Sequence, residues 1–240
     1  MANTMEPTVA PWGIQDKNNF HTCSNQHLGQ INPTTPVGKI LMETVQKTNP
    51  RVILDIGTWN GLGSTRCFLL SLQNMPTTRL ISLEVHQDKN ILAKENLKDF
   101  ELREGRADLW WGTVLDEKDL STVTSVFPQL EYNGEFKEWH AVDMLHLRQA
   151  PNVLKNLPMD IDFVLFDGGE FTTYFEFKKL RPRLSNIIAM DDVNVEKCKK
   201  IRGMLLEDPE WEEICYIEER NGFSMFKKKH QTVVSKNKID

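Results

Sequence analysis

RVILDIGTWNGLGS, residues 51–64, decides how the chain is read. The apolar run Val52, Ile53, Leu54 leads through Asp55 into a loop holding Gly57, Gly61 and Gly63, and the apolar segment Cys67-Phe68-Leu69-Leu70-Ser71-Leu72 follows. That order predicts a buried strand, a glycine loop and a helix, the opening unit of an α/β domain that binds a nucleotide-like ligand. Glycine is needed where backbone turns tightly or approaches a ligand without a Cβ in the way.

On the N-terminal side, PVGKILMETVQKTN (36–49) places Val37, Ile40, Leu41 and Val45 near helical spacing, with Pro36 suited to a first turn and Asn49-Pro50 ending the helix. On the C-terminal side, strands are expected at 79–85, 107–115, 161–169 and 186–193, with helices at 88–100, 117–126, 175–184 and 196–207 between and after them. Two closing strands, 211–219 and 222–229, flank Asn221-Gly222, a hairpin signal. The expected fold is therefore α/β, a doubly wound, Rossmann-like, mostly parallel sheet finished by an antiparallel hairpin. Residues 127–157 exceed a simple crossover and are read as an insertion, either a substrate lid or a helical decoration. Residues 1–33 are read as an N-terminal arm, 34–230 as the domain, and 231–240 as a basic tail expected to fray.

Composition narrows the partners. The formal net charge of −5 over 240 residues offers no electrostatic reason for a nucleic-acid partner. No apolar run approaches the ~20 residues of a membrane span, and the N-terminus has no signal-peptide pattern, so the expected setting is the cytoplasm. Cys23, Cys67, Cys198 and Cys215 are scattered without a C-x-x-C pair, which argues against structural zinc and a disulfide framework.

Three ligands compete for the glycine loop. A phosphate-gripping loop requires Gly-Lys-Ser/Thr, and no lysine follows Gly61 or Gly63. A dinucleotide fingerprint reads G-x-G-x-x-G, whereas this order is G-x-x-x-G-x-G after Asp55. The pattern D-x-G-x-x-x-G resembles motif I of class I S-adenosylmethionine-dependent methyltransferases. A carboxylate such as Asp55 suits the cationic amino group and sulfonium of that donor. Glu84, ending the second strand, is placed to accept both ribose hydroxyls, although dinucleotide enzymes use an acid similarly. PVGKILMETVQKTNPRVILDIGTWNGLGS is similar to the start of catechol-type and caffeoyl-CoA-type O-methyltransferases. The resemblance runs from about Thr34 to Lys228 and implies a seven-stranded sheet with an antiparallel ending. It implies donor-binding roles for Asp55, Gly57, Thr58, Trp59, Asn60, Gly61, Ser64, Glu84, Val85, Gly112, Thr113, Val114 and Asp167. Trp111 is either part of that adenine surround or plain core.

Asp167 closes the fourth strand, and Asp191 and Asp192 close the fifth, so three carboxylates meet at the carboxyl edge of the sheet. They repel one another unless a cation or protons offset them, and hard oxygen ligands suit Mg²⁺ or Mn²⁺. The metal-dependent O-methyltransferases place their ligands at these positions, so the resemblance implies a divalent ion on Asp167, Asp191 and Asp192. A capping role for Asp191 or Asp192 on the next helix is the alternative. A bound ion would ease loss of the acceptor hydroxyl's proton. In sugar-methylating relatives an acid stands two positions after the first ligand; here that place is Gly169, so Glu170 is the first candidate base, with His140 and His146 behind it.

The expected function is metal-assisted O-methylation of a small hydroxylated substrate. A sugar or glycan is favoured because Glu131, Tyr132, Asn133, Glu138, Trp139 and His140 decorate the insertion. Rival readings are a metal-independent protein or N-methyltransferase and a non-catalytic donor-binding partner subunit. A homodimer stays open.

Overall fold

The computed structural model describes residues 28–100 and 106–229; most of the expected arm and the tail lie outside the described residues. Seven strands form one sheet in the order β3-β2-β1-β4-β5-β7-β6. They are β1 (Val52–Ile56), β2 (Arg79–Glu84), β3 (Ala107–Trp111), β4 (Ile161–Phe166), β5 (Leu184–Asp191), β6 (Trp211–Ile217) and β7 (Phe223–Lys228). β1 through β5 pair in parallel, and β7 inserts antiparallel between β5 and β6. The chain winds outward from β1 to β3 and then returns to β4. The β1–β4 junction is thus the switch point, where open α/β sheets bind ligands.

Strand alternation divides the core in two. Leu54, Ile56, Val164, Phe166, Ile188 and Met190 face one side; Ile53, Phe163, Leu165, Ile187 and Ala189 face the other. The second side is covered by α1 (Pro36–Thr48), α2 (Ser64–Leu72) and α3 (Gln87–Asn96), through residues such as Leu41, Phe68 and Ala93. The first side is covered by α5 (Gly134–Gln149), α6 (Thr173–Leu180) and α7 (Glu196–Glu207), through Leu147, Phe177 and Ile201. α1 starts as expected: Pro36 opens its first turn and the Thr35 hydroxyl accepts from Gly38 N–H at 3.2 Å. Asn49 ends it in the left-handed region at φ 45°.

Several boundaries differ from the sequence reading. β3 ends at Trp111 rather than 115, because Thr113 turns aside to exchange backbone hydrogen bonds with Pro151 (2.9 Å) and Val153 (2.8 Å). Residues 117–126 are a 3-10 turn, Glu117–Leu120, and a short helix, α4 (Val123–Val126), since Asp116 and Asp119 close a capping box on the turn. β4 stops at Phe166, and β6 stops at Ile217. The insertion contains a 3-10 turn at Pro128–Glu131, the helix α5, and a 3-10 turn at Leu154–Asn156. α5 packs its Leu147 into the core and carries Asp143 toward the switch point. Among the described residues no helix is long and apolar enough to cross a membrane.

Candidate active site

The glycine loop is built from beneath. Asp55 is fully buried and its carboxylate accepts from Ser64 Oγ (3.0 Å), Thr65 Oγ1 (2.6 Å) and Ser82 Oγ (2.9 Å). The Thr58 and Ser82 hydroxyls meet at 2.7 Å. Burial raises the Asp55 pKa, and the three hydroxyl donors oppose that rise. With no exposed surface, Asp55 cannot meet a donor ammonium in this conformation; it ties β1, β2 and α2 together. Thr58, Asn60, Gly61 and Ser64 are also buried, and Asn60 Oδ1 accepts from Leu62 N–H at 3.1 Å inside the loop. The loop therefore presents Gly57 and Trp59 outward, both half-buried. Gly57 has φ 98°, and a Cβ there would lie 2.0 Å from Asp167 O, so any side chain would close the gap between the β1 and β4 tips. Trp59 also turns through the left-handed region, at φ 50°.

Glu84, at the β2 tip, holds that turn. Its Oε2 accepts from Trp59 N–H at 2.7 Å and its Oε1 from His86 N–H at 2.9 Å. Each oxygen keeps a second acceptor direction, as a diol would require. Burial pushes its pKa up to about 7, against the pull of those two N–H groups. Val85 and Trp111 stand beside it, with Trp111 Nε1 donating to Val85 O at 3.0 Å. Gly112 N–H donates to the Glu84 backbone O at 2.9 Å, while Thr113 and Val114 are buried and a Cβ on Gly112 would lie 2.7 Å from Val153, in the 150–153 segment that lies over the end of β3.

On the other side of the crevice stand carboxyls that the sequence reading missed. A Cβ on Gly168 would meet Glu176 Oε2 at 2.8 Å, and one on Gly169 would meet Asp143 Oδ1 at 2.7 Å. Glu176 Oε2 is buried without a hydrogen-bond partner, and burial, with Asp143 and Glu84 nearby, lifts its pKa to about 8. Asp143 is pushed up to about 7 by burial, although Phe171 N–H donates to it at 3.3 Å. Glu84, Glu176 and Asp143 are thus close enough for Glu84 and Asp143 to raise the Glu176 pKa, and a cation placed beside the three carboxyls would favour their ionised forms. A signal for Glu176 lay in its place in the first turn of α6, directly after the β4 loop.

The three acids expected to hold a metal do converge: one oxygen of each of Asp167, Asp191 and Asp192 lies within 4.8 Å of the others. A cation is already among them. Lys197 Nζ is 2.9 Å from Asp167 Oδ1 and 2.6 Å from Asp192 Oδ2, with its side chain only 3% exposed. Arg220, carried by the β6–β7 turn, reaches Asp191 Oδ2 at 2.9 Å. Burial alone would lower the Lys197 pKa, but Asp167, Asp192 and Asp191 outweigh it and keep the group an ammonium. Burial likewise lifts Asp167, and lifts Asp191 to about 7; for Asp192 Lys197 overcomes burial and the pKa falls. A divalent ion bonded to the oxygens that hold Lys197 would sit some ~3 Å from the ammonium. The ammonium already takes one oxygen of each of two of the acids and repels a second cation brought to the same oxygens. The residues present do not fit the ion.

The candidate bases separate. Glu170 is buried and its Oε1 accepts from Lys197 N–H at 3.1 Å, so it caps the start of α7 instead of facing the crevice. His140, half-buried on α5, lies edge-on to Phe171 at 6.0 Å; its Nδ1 has no partner, and burial lowers its pKa, leaving a neutral imidazole. His146 stacks on His86 at 3.9 Å. Of the three acids at the strand tips, Asp167 has the most exposed side chain, 25% against 3% for Asp191 and 11% for Asp192. In the insertion, Asn133 caps α5 and Trp139 packs on Phe136 at 5.2 Å, while Tyr132 stays exposed.

Sheet order, the loop at the switch point and the antiparallel ending together define the fold of the class I S-adenosylmethionine-dependent methyltransferases. The chain is similar to a methyltransferase from Podospora anserina with SAH bound, at 16% identity over 80% of this chain and 78% of that one, TM-score 0.55. It is also similar to the O-methyltransferase from Bacillus cereus in complex with SAH, at 20% identity over 84% of each chain, TM-score 0.53. A methyltransferase from Geobacter sulfurreducens aligns at 12% identity over 82% of this chain and 79% of that one, TM-score 0.52. At these identities the likeness shows the fold. No family model and no curated protein sequence matches the chain.

Proposed function

We propose that the protein transfers a methyl group from S-adenosylmethionine to a hydroxyl oxygen of a small hydroxylated acceptor. The observation that carries this reading is the meeting, at the β1–β4 switch point, of the Glu84-braced turn and the Asp167 carboxylate, whose side chain is 25% exposed. Glu84 holds the donor's ribose, the backbone of Gly57 and Trp59 lies along its amino-acid portion, and Glu176 and Asp143, whose pKa burial raises, give up their protons as the donor's cationic groups come beside them. The donor contributes an electrophilic methyl on a sulfonium leaving group. Asp167 takes the acceptor's proton as its oxygen lone pair becomes the new C–O bond, while the C–S bonding pair leaves with sulfur. Neutral His140 lies nearby as an acceptor of a second hydroxyl's hydrogen bond.

A sugar or glycan hydroxyl is the acceptor class we favour, because Asp143, Asp167 and His140 offer hydrogen-bond acceptors to a polyol. Divalent-metal assistance, expected from the sequence, is not carried into the proposal: Lys197 stands where the ion would bind. The test is calorimetry with S-adenosylmethionine, followed by transfer of labelled methyl to a panel of glycans, catechols and peptides. Label in a hydroxylated acceptor supports the reading. Donor binding with label only in peptide nitrogen, or with no transfer, replaces it with an N-methyltransferase or a partner subunit.

A further inference from the structure

We infer that this chain carries its own cation in place of a divalent metal: the Lys197 ammonium, seconded by Arg220, occupies the carboxylate cluster at the tips of β4 and β5. The meaning of that substitution for catalysis rests on the proposed methyl transfer; the occupancy itself does not.

Three features fix the ammonium there. First, the ammonium binds one oxygen of each of two of the acids, Asp167 Oδ1 and Asp192 Oδ2, and leaves Asp192 Oδ1 buried without a hydrogen-bond partner. Second, its backbone is anchored, because Lys197 N–H donates to Glu170 Oε1 and so locks the first turn of α7 onto the loop after β4. Third, the remaining acid is served separately. The β6–β7 turn is tied to the β5–α7 loop by Val193 N–H to Gly222 O (3.1 Å) and Asn194 N–H to Asn221 O (2.8 Å). Arg220, at φ 59° in that turn, then delivers its guanidinium to Asp191. Two cations on two separate elements thus offset the three acids without an ion.

A chemical consequence follows. A divalent ion has open coordination positions for an acceptor's oxygens, whereas an ammonium shared between two aspartates has none, so on the proposed transfer the acceptor is held by hydrogen bonds instead of by coordination.

The test is titration of the full chain with Mn²⁺, read by the loss of the free-ion electron paramagnetic resonance signal, which needs no turnover. The wild type is expected to leave the cluster ion-free, so that its binding curve matches that of Asp192→Ala. Wild-type binding that disappears in Asp192→Ala overturns the inference. Binding that persists in Asp192→Ala lies elsewhere and agrees with it. Lys197→Ala, or Lys197→Gln if the alanine variant does not fold, is expected to gain Mn²⁺ affinity by at least about tenfold, because the aspartates lose their resident cation. A folded Lys197 variant with no gain also overturns it. Absence of methyl transfer would leave these readings unchanged, so the two proposals fail separately.

Discussion

Glu176→Gln is expected to stabilise the protein at alkaline pH and to do little at acid pH. The Glu176 carboxyl is 6% exposed, one oxygen lacks a partner, and its pKa rises from 4.5 to about 8 through burial and the nearby Asp143 and Glu84. An acid with a raised folded pKa favours folding fully only below its unfolded value. As pH climbs, the unfolded chain gives up its proton first, so that contribution is lost between 4.5 and about 8. At about 1.4 kcal/mol per pH unit, burial of this one group costs about 1 kcal/mol at pH ~5 and about 4 kcal/mol at pH ~8. A glutamine never ionises, so the variant gains roughly 3 kcal/mol on the wild type between those two pH values. Urea unfolding of both proteins at the two pH values reads this directly. An equal stability difference at both would refute the argument that burial raises the Glu176 pKa on folding.

Other consequences concern the loop and the crevice. Glu84→Ala is expected to weaken S-adenosylmethionine binding at least about tenfold by calorimetry, since Glu84 is both the ribose acceptor and the brace of the Trp59 turn. Unchanged affinity in the folded variant would remove Glu84 from the site. Asp55→Ala removes the shared acceptor of three buried hydroxyls, of which Ser64 loses its partner while Thr65 and Ser82 keep each other, and is expected to lower the unfolding free energy by about 3 kcal/mol in urea titrations; a loss under about 1 kcal/mol would contradict its placement as the organiser of the loop. Asp167→Asn is expected to lower kcat by about 10²-fold with donor affinity little changed, as befits the proton acceptor. A variant retaining full kcat would move that role elsewhere.

The parallel core was legible because β1, β4 and β5 are apolar on both faces and their neighbours repeat at helical spacing. The hairpin was legible in Asn221-Gly222. Its function as carrier of Arg220 was not, since that depends on the turn docking against the β5–α7 loop. Placing Asp55, Gly112, Thr113 and Val114 around the ligand followed their strand-end positions. Position along a strand does not reveal that hydroxyls from α2 and β2 surround Asp55, or that residues 150–153 lie over the end of β3. The three acids at the strand tips were visible as a charge problem. The solution stood in the sequence too, for Lys197 lies in the first turn of the helix after Asp192, but helical spacing alone gives that residue no role. Glu170 illustrates the converse: adjacency to the β4 tip suggested a base, and the start of α7 claims it as a cap.

The most direct test of the account is the product formed by chelator-treated protein with isotopically labelled S-adenosylmethionine and the hydroxylated panel, identified by mass spectrometry and NMR. The account predicts a labelled methyl ether on the acceptor. Label found only on nitrogen, or donor bound and no methyl transferred, would contradict it.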